Sequence, residues 1–131
     1  MLELKKEVYN NLVEHARRDL PIEACGYLGE KAGIVEQGFE MTNVDNSPEH
    51  FSFEPAEQFN VVKLMRKSGL KLRAVYHSHP VTPARPSQED IRLAFDPELS
   101  YVIVSLAGDN EVVKSFIIKE GTVREEEIRI V

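Results

Sequence analysis

Apolar positions along the chain change period several times, and each change marks an element. Leu4, Val8, Leu12 and Ala16 recur every four residues, with Tyr9 and Val13 widening the stripe, which predicts a helix over roughly residues 4–18. Pro21 ends it, because the residue before a proline disfavours the helical conformation. ACGYLG then reads as a short buried strand, with KAG as the turn into a second strand, IVEQGFEM. Residues 43–50 form a polar loop, and FSFE reads as a brief strand. Pro55 suits the first turn of a helix that carries Phe59, Val62 and Met65 inward, with Gly69 placed to cap its end. KLRAVYH is a strand and SQEDIRLAF a short helix closed by Asp96-Pro97. YVIVSL, VVKSFIIK and TVREEEIRIV read as three more strands, turning at Asp109-Asn110 and Glu120-Gly121. Helices interleaved with strands, then a meander, predict an α/β fold: a mixed sheet flanked by helices.

Composition narrows the picture. With 131 residues, the chain is expected to form one domain spanning 1–131. Apolar residues at 42% and charged residues at 29% suit a globular chain rather than a disordered one. Sixteen basic against 22 acidic residues give a net charge of -6, which argues against a general nucleic-acid or anionic-membrane binder. The single cysteine excludes a disulfide framework and any multi-cysteine metal site. No apolar run approaches the roughly 18 residues of a membrane span, and MLELKKEVYNN lacks the apolar core of a signal peptide. A cytoplasmic enzyme or interaction module is expected.

Candidate chemistry is concentrated in YHSHPVTPARPSQED, residues 76–90. His77 and His79 lie two apart at the end of a strand, so the pleat puts both imidazoles on one face, where they can chelate one metal. Pro80, Pro83 and Pro86 stiffen the loop that follows. Ser87 and Asp90, three apart at the start of the next helix, share a face, whereas Glu89 points elsewhere. Two histidines and Asp90 make a three-ligand set with a fourth position open to water. Ser87 and Asp90 also fit a helix-capping pair, and the two readings are compatible. Such a site needs a base, and Glu23 in LPIEACGYLGE is the candidate, although spacing alone does not single it out among 22 acidic residues.

Together Glu23, His77, His79, Pro80, Ser87 and Asp90 resemble the signature of the JAMM (MPN+) metallopeptidases: a distant Glu, then H-x-H-P, then S-x-x-D with seven residues between the second His and the Ser. The resemblance extends through PIEACGYLGE, NVDNSPEHFSFEP and YVIVSL, so it covers nearly the whole chain. It implies a cytidine-deaminase-like fold with a curved mixed sheet. It also implies Zn2+ held by His77, His79 and Asp90, Glu23 as general base and acid, and Ser87 helping to stabilise the oxyanion. The compact, insertion-free layout is similar to members that hydrolyse amide adducts after the C-terminal Gly-Gly of a ubiquitin-like sulfur-carrier protein. Other family members are deubiquitinases acting on ubiquitin conjugates. A zinc-stabilised interaction module is the alternative of a different class. A zinc deaminase is excluded, because those enzymes use H-x-E with a downstream P-C-x-x-C and Cys25 stands alone.

The remaining residues carry plainer expectations. Cys25 is expected to be a buried thiol without a catalytic partner set, His50 a surface or hydrogen-bonded side chain, and His15 a helix-surface residue. Lys63, Arg66, Lys67, Lys71 and Arg73 form a basic run that is either a solvated face or a contact for an acidic carrier. Arg85, in the loop beside the site, is a candidate substrate contact. Residues 125–127, three consecutive glutamates, are expected on a solvated strand edge.

Overall fold

Most switches of apolar period fall at element boundaries in the computed structural model, which describes residues 1–131. Strand β1 (Leu2–Leu4) leads into α1 (Lys6–Arg18), and β2 (Cys25–Lys31) and β3 (Ile34–Met41) form a hairpin. Helix α2 (Pro55–Lys67) precedes β4 (Lys71–His79), and α3 (Gln88–Arg92) precedes β5 (Ser100–Ser105). Strands β6 (Val112–Lys119), β7 (Thr122–Glu126) and β8 (Ile128–Ile130) follow. The eight strands form one sheet in the order β7-β6-β5-β4-β2-β3-β1-β8. The β4–β5, β1–β3 and β1–β8 pairs are parallel and the rest antiparallel. Only Glu127 separates β7 from β8, yet these strands occupy opposite edges, so the sheet curls until it nearly closes.

The pleat sorts side chains onto two faces. Leu28, Ala74, Tyr76, Val102 and Val104 meet Val8, Leu12 and Ala16 of α1. On the other face, Tyr27, Phe39 and Met41 pack against Met65 of α2, while Ile103, Phe116 and Ile118 lie under Ile91 and Ala94 at α3. His77 and His79 belong to this second face. Close strand approach depends on Gly26, where a Cβ would sit 2.3 Å from the Phe39 carbonyl oxygen and 2.4 Å from the Tyr76 ring. That approach fixes Cys25 opposite His77 in the β2–β4 register.

Seven expectations are corrected, the first being that TVREEEIRIV, read as one strand, forms two, β7 and β8, parted at Glu127. Residues 2–4 form a strand rather than the lead-in to α1. FSFE is not a strand: the Ser52 N–H donates to the Asn43 side chain. Phe59 points outward at 68% exposure, because α2 needs only Met65 and its half-buried neighbours to meet the sheet. Helix α3 stops at Arg92. His15 is buried, its Nδ1 2.7 Å from the Tyr76 hydroxyl and its Nε2 3.1 Å from Asp19. Glu126 is also buried, accepting hydrogen bonds from Ser100 and, at 2.8 Å, Ser115.

Candidate metal centre

Strand β4 ends in His77-Ser78-His79, and the pleat that turns both imidazoles toward α3 turns Ser78 away. The Ser78 N–H donates to the Ala24 carbonyl (3.0 Å) and its Oγ accepts from the Ala24 N–H (2.8 Å), tying the end of β4 to the residue after Glu23. His79 Nδ1 donates to the Pro83 carbonyl oxygen at 2.9 Å, which leaves the Nε2 lone pair facing the site. The His77 ring stacks on Phe51, with centroids 4.8 Å apart and planes 27° from parallel.

Ser87 caps α3 in a capping box: its Oγ accepts from the Asp90 N–H at 3.0 Å, and its own N–H donates to Asp90 Oδ2 at 2.9 Å. The pair that looks like a helix start in sequence therefore also aims the carboxylate. Asp90 Oδ2 lies 3.1 Å from His77 Nε2 and 3.2 Å from His79 Nε2, and the two nitrogens are 3.1 Å apart. Ligand atoms bonded at zinc distances in a tetrahedron are about 3.3 Å apart. Three lone-pair atoms this close repel unless a proton or cation sits among them, so the donor set fits zinc in both chemistry and spacing.

Electrostatics follow from the same crowding. Burial opposes charge on His79, but its hydrogen bonds to Asp90 and Pro83 outweigh that and raise its pKa. Burial alone would raise Asp90 as well, yet hydrogen bonds from His77 and His79 hold its carboxyl far below the usual range.

Glu23 precedes β2 and is 3% exposed. Its N–H donates to the Ser47 carbonyl at 2.9 Å, and its carbonyl accepts from Asn43 Nδ2 at 3.1 Å. Its Oε1 is the one buried side-chain nitrogen or oxygen without a hydrogen-bond partner. Burial pushes the carboxyl up to about 8; the charge of His79 pulls it down, while Asp90 and Glu89 add to the rise. A cavity of about 400 Å³ opens onto His77 and Asp90, walled by Tyr27, Phe51, Pro86, Leu93 and Tyr101.

The structure thus gathers His77, His79 and Asp90, sets Glu23 within their electrostatic reach, and leaves Ser87 exposed at the rim. Arg85 is exposed and lines a separate hollow with Lys114. Cys25 is buried with its thiol pushed up to about 12, chiefly by burial, which makes it a poor nucleophile. His50 bonds Asp45. Sequence reasoning gave no role to Asn43, Phe51 or Ser78. Asn43 also donates to His50 (3.0 Å) and accepts from the Asp45 N–H (3.1 Å), so one amide organises the whole loop beside Glu23.

A curved, nearly closed mixed sheet with a His-x-His strand end facing a capped Asp defines a JAB1/MPN-type domain. Residues 5–119 match the family model for prokaryotic homologs of the JAB domain, and the chain belongs to that family. It is 36% identical over 134 residues to a CysO-cysteine peptidase of Mycobacterium tuberculosis, covering 100% of this chain and 92% of that protein. It is 35% identical over 109 residues to a probable TtuB-protein conjugate cleaving protease of Thermus thermophilus, covering 82% of this chain and 69% of that one. A Desulfitobacterium hafniense protein known from its solution structure shares 51% identity and a TM-score of 0.91, over 100% of this chain and 93% of that one. A JAB1/MPN domain protein of Archaeoglobus fulgidus shares the fold at 20% identity, with a TM-score of 0.68 over 99% and 97% of the two chains.

Proposed function

We propose that this chain is a zinc-dependent peptidase that hydrolyses the amide bond after the C-terminal Gly-Gly of a ubiquitin-like, sulfur-carrier type protein. The observation that carries the reading is the convergence of three donor atoms within 3.2 Å beside a buried carboxyl that lacks a partner. Relatives named for cleaving a CysO–cysteine adduct and TtuB conjugates support the substrate class.

His77, His79 and Asp90 hold the metal, which when bound supplies a Lewis acid and an acidified water. Glu23 accepts the proton of the attacking water on its carboxylate and returns it to the departing amine nitrogen. Its burial suits both tasks: with the charge of His79 already set against burial and the charges of Asp90 and Glu89, the carboxyl is raised to about 8, where it can take up and release a proton near neutral pH. Accepting from the Asp90 N–H leaves the Ser87 hydroxyl proton free to donate to the developing oxyanion. The cavity at His77 and Asp90 takes the carrier tail in an environment that sheds water.

The test is intact-mass spectrometry of a ubiquitin-like sulfur carrier extended after Gly-Gly by one cysteine or by a short peptide. Zinc-loaded wild type is expected to trim one of them to Gly-Gly. Glu23→Gln is expected to keep its zinc and lose about 10²–10⁴ in turnover. Asp90→Ala is expected to lose zinc. Cleavage of ubiquitin or TtuB-type conjugates alone would move the reading to an isopeptidase. Zinc retention with no cleavage of any adduct would leave a zinc-stabilised interaction module.

A further inference from the structure

The loop that joins the His-x-His strand to α3 carries a cation with no partner in the fold. Arg85 is exposed and forms no ion pair, in a chain whose net charge is -6. Its backbone is nonetheless held. The Thr82 carbonyl accepts from Ser105 Oγ at 2.6 Å, and the Pro83 carbonyl accepts from both His79 Nδ1 and the Arg85 N–H at 2.9 Å. Ala84, between Pro83 and Arg85, is buried with Ile103, Phe116 and Ile118. The carbonyl that orients one metal ligand thus also fixes where the Arg85 side chain begins.

Sheet register sets the surroundings of that side chain next to the donor atoms. His79 pairs with Ser105 and His77 with Ile103, which pairs in turn with Lys114. Paired residues share a face, so Ser105 and Lys114 stand on the face of the two imidazoles, one strand from His79 and two from His77, about 5 and 10 Å away. Pro83, Arg85, Ser105 and Lys114 border a hollow of about 340 Å³ with no acidic residue in its lining. Lys114 has a loose partner, Glu125 at 3.9 Å; Arg85 has none. The cavity that reaches His77 and Asp90 has the opposite sign, with Glu89, Asp90 and Asp96 and no lysine or arginine. It runs along Val75 and Tyr101 to His77 and Ile103, and the hollow begins at Ser105, one inward-facing position further along the sheet. Charge therefore reverses across the donor triad: an uncharged Gly-Gly tail suits the acidic side and an anion the basic side.

Hydrolysis after Gly-Gly supplies such an anion in one case. When a single amino acid follows, its α-carboxylate lies one residue's length, about 3.5 Å, beyond the scissile nitrogen. A longer extension puts an uncharged amide there, and an isopeptide through a lysine side chain puts methylenes there.

We propose that Arg85, with Lys114 adding positive potential, binds the free α-carboxylate of the departing residue and so selects adducts in which one amino acid follows Gly-Gly. This rests on the carrier-peptidase reading and deepens it by naming the leaving group's class. Arg85 is a specificity residue, since its planar fork matches a carboxylate but touches no reacting atom.

The experiment uses full-length zinc-loaded protein and three carriers, ending after Gly-Gly in cysteine, in cysteine amide, or in a short peptide. Wild type is expected to favour the free acid over the amide about tenfold in kcat/KM, chiefly through KM. Arg85→Ala is expected to bring that ratio near one, Arg85→Lys to restore part of it, and Arg85→Glu to invert it. A merely structural role would slow acid and amide alike and leave the ratio unchanged. A second, turnover-free readout is the Arg85 Nε–H resonance of isotope-labelled Glu23→Gln, expected to move with the acid-ended carrier and not with the amide. Equal cleavage of acid and amide with a still resonance overturns the carboxylate site and leaves the peptidase reading intact. A resonance that moves with the acid alone, without cleavage by wild type, supports the carboxylate site and overturns the peptidase reading.

Discussion

A carboxyl group buried without a hydrogen-bond partner holds its proton, and Glu23 is such a group. It ionises near 4.5 in its ordinary environment and near about 8 in the fold. Between those values the folded state carries a proton that the unfolded state has released, so the contribution of Glu23 to the stability of metal-free protein is full below about pH 4.5 and is lost as pH rises toward 8. Glu23→Gln removes that slope without touching Asp90, whose own titration is common to both proteins. In chelator, denaturant midpoints are expected to favour Glu23→Gln over wild type at pH 8 and to coincide near pH 4. A difference that stays constant across the range would mean the Glu23 carboxyl is solvated. A buried carboxyl that costs stability fits the base role proposed for Glu23, since activity and stability ask for opposite things of such a residue.

Ser87 shows how a small element sets a side chain. Helix α3 is only five residues long, so its first turn relies on the capping box that also orients Asp90. Ser87→Ala is expected to cost about 1 kcal/mol at the cap and, through Asp90, to weaken zinc binding about fivefold. Ser87→Thr, which caps almost as well, is expected to retain wild-type affinity. Equilibrium competition with a colorimetric zinc chelator reads both. Full zinc affinity in Ser87→Ala with lost turnover would confine the serine to the oxyanion role proposed for it and remove it from the positioning of Asp90. This element also explains what the sequence could reveal. His-x-His and Ser-x-x-Asp obey the local periods of a strand and a helix start, so their shared faces are legible from spacing. Glu23 is not, because it meets β4 through the pairing of strands some fifty residues apart, and only family resemblance picked it out. Phe51 was hidden by an apolar alternation that suggested a strand, whereas Asn43 captures the backbone there and frees the ring to stack on His77. The burial of His15 is not legible for a similar reason: its partner, Tyr76, belongs to a distant strand. Strand β1, at three residues, is too short for any period to show.

At the scale of the whole molecule, the closing sheet leaves room for a buried polar knot as well as a core. Glu126, at the end of β7, is anchored by Ser100 of β5 and Ser115 of β6, and Arg73 of β4 donates to the Ser100 hydroxyl at 2.7 Å. Burial alone would raise its pKa, but those serine hydrogen bonds hold the carboxyl below its ordinary value. The charge therefore stabilises the fold above about pH 4.5, and that contribution fades as pH falls through the lowered pKa. Glu126→Gln is expected to lose about 1–3 kcal/mol at pH 7, with the gap from wild type narrowing in acid. Identical unfolding curves at pH 7 would show the knot to be energetically neutral. The 42% apolar content is therefore only part of what joins the strands.

The pairing of β1 with β8 has a mechanical meaning. These strands run parallel, with Leu2 opposite Ile128 and Leu4 opposite Ile130. A pull applied at Leu2 and Ile130 in opposite directions runs along both strands, so it loads their evenly spaced hydrogen bonds together, in shear, rather than peeling them one at a time. Traction between these two points thus meets the fold where it yields least readily, and a force-driven unfolding machine would gain more by gripping a loop such as residues 43–50.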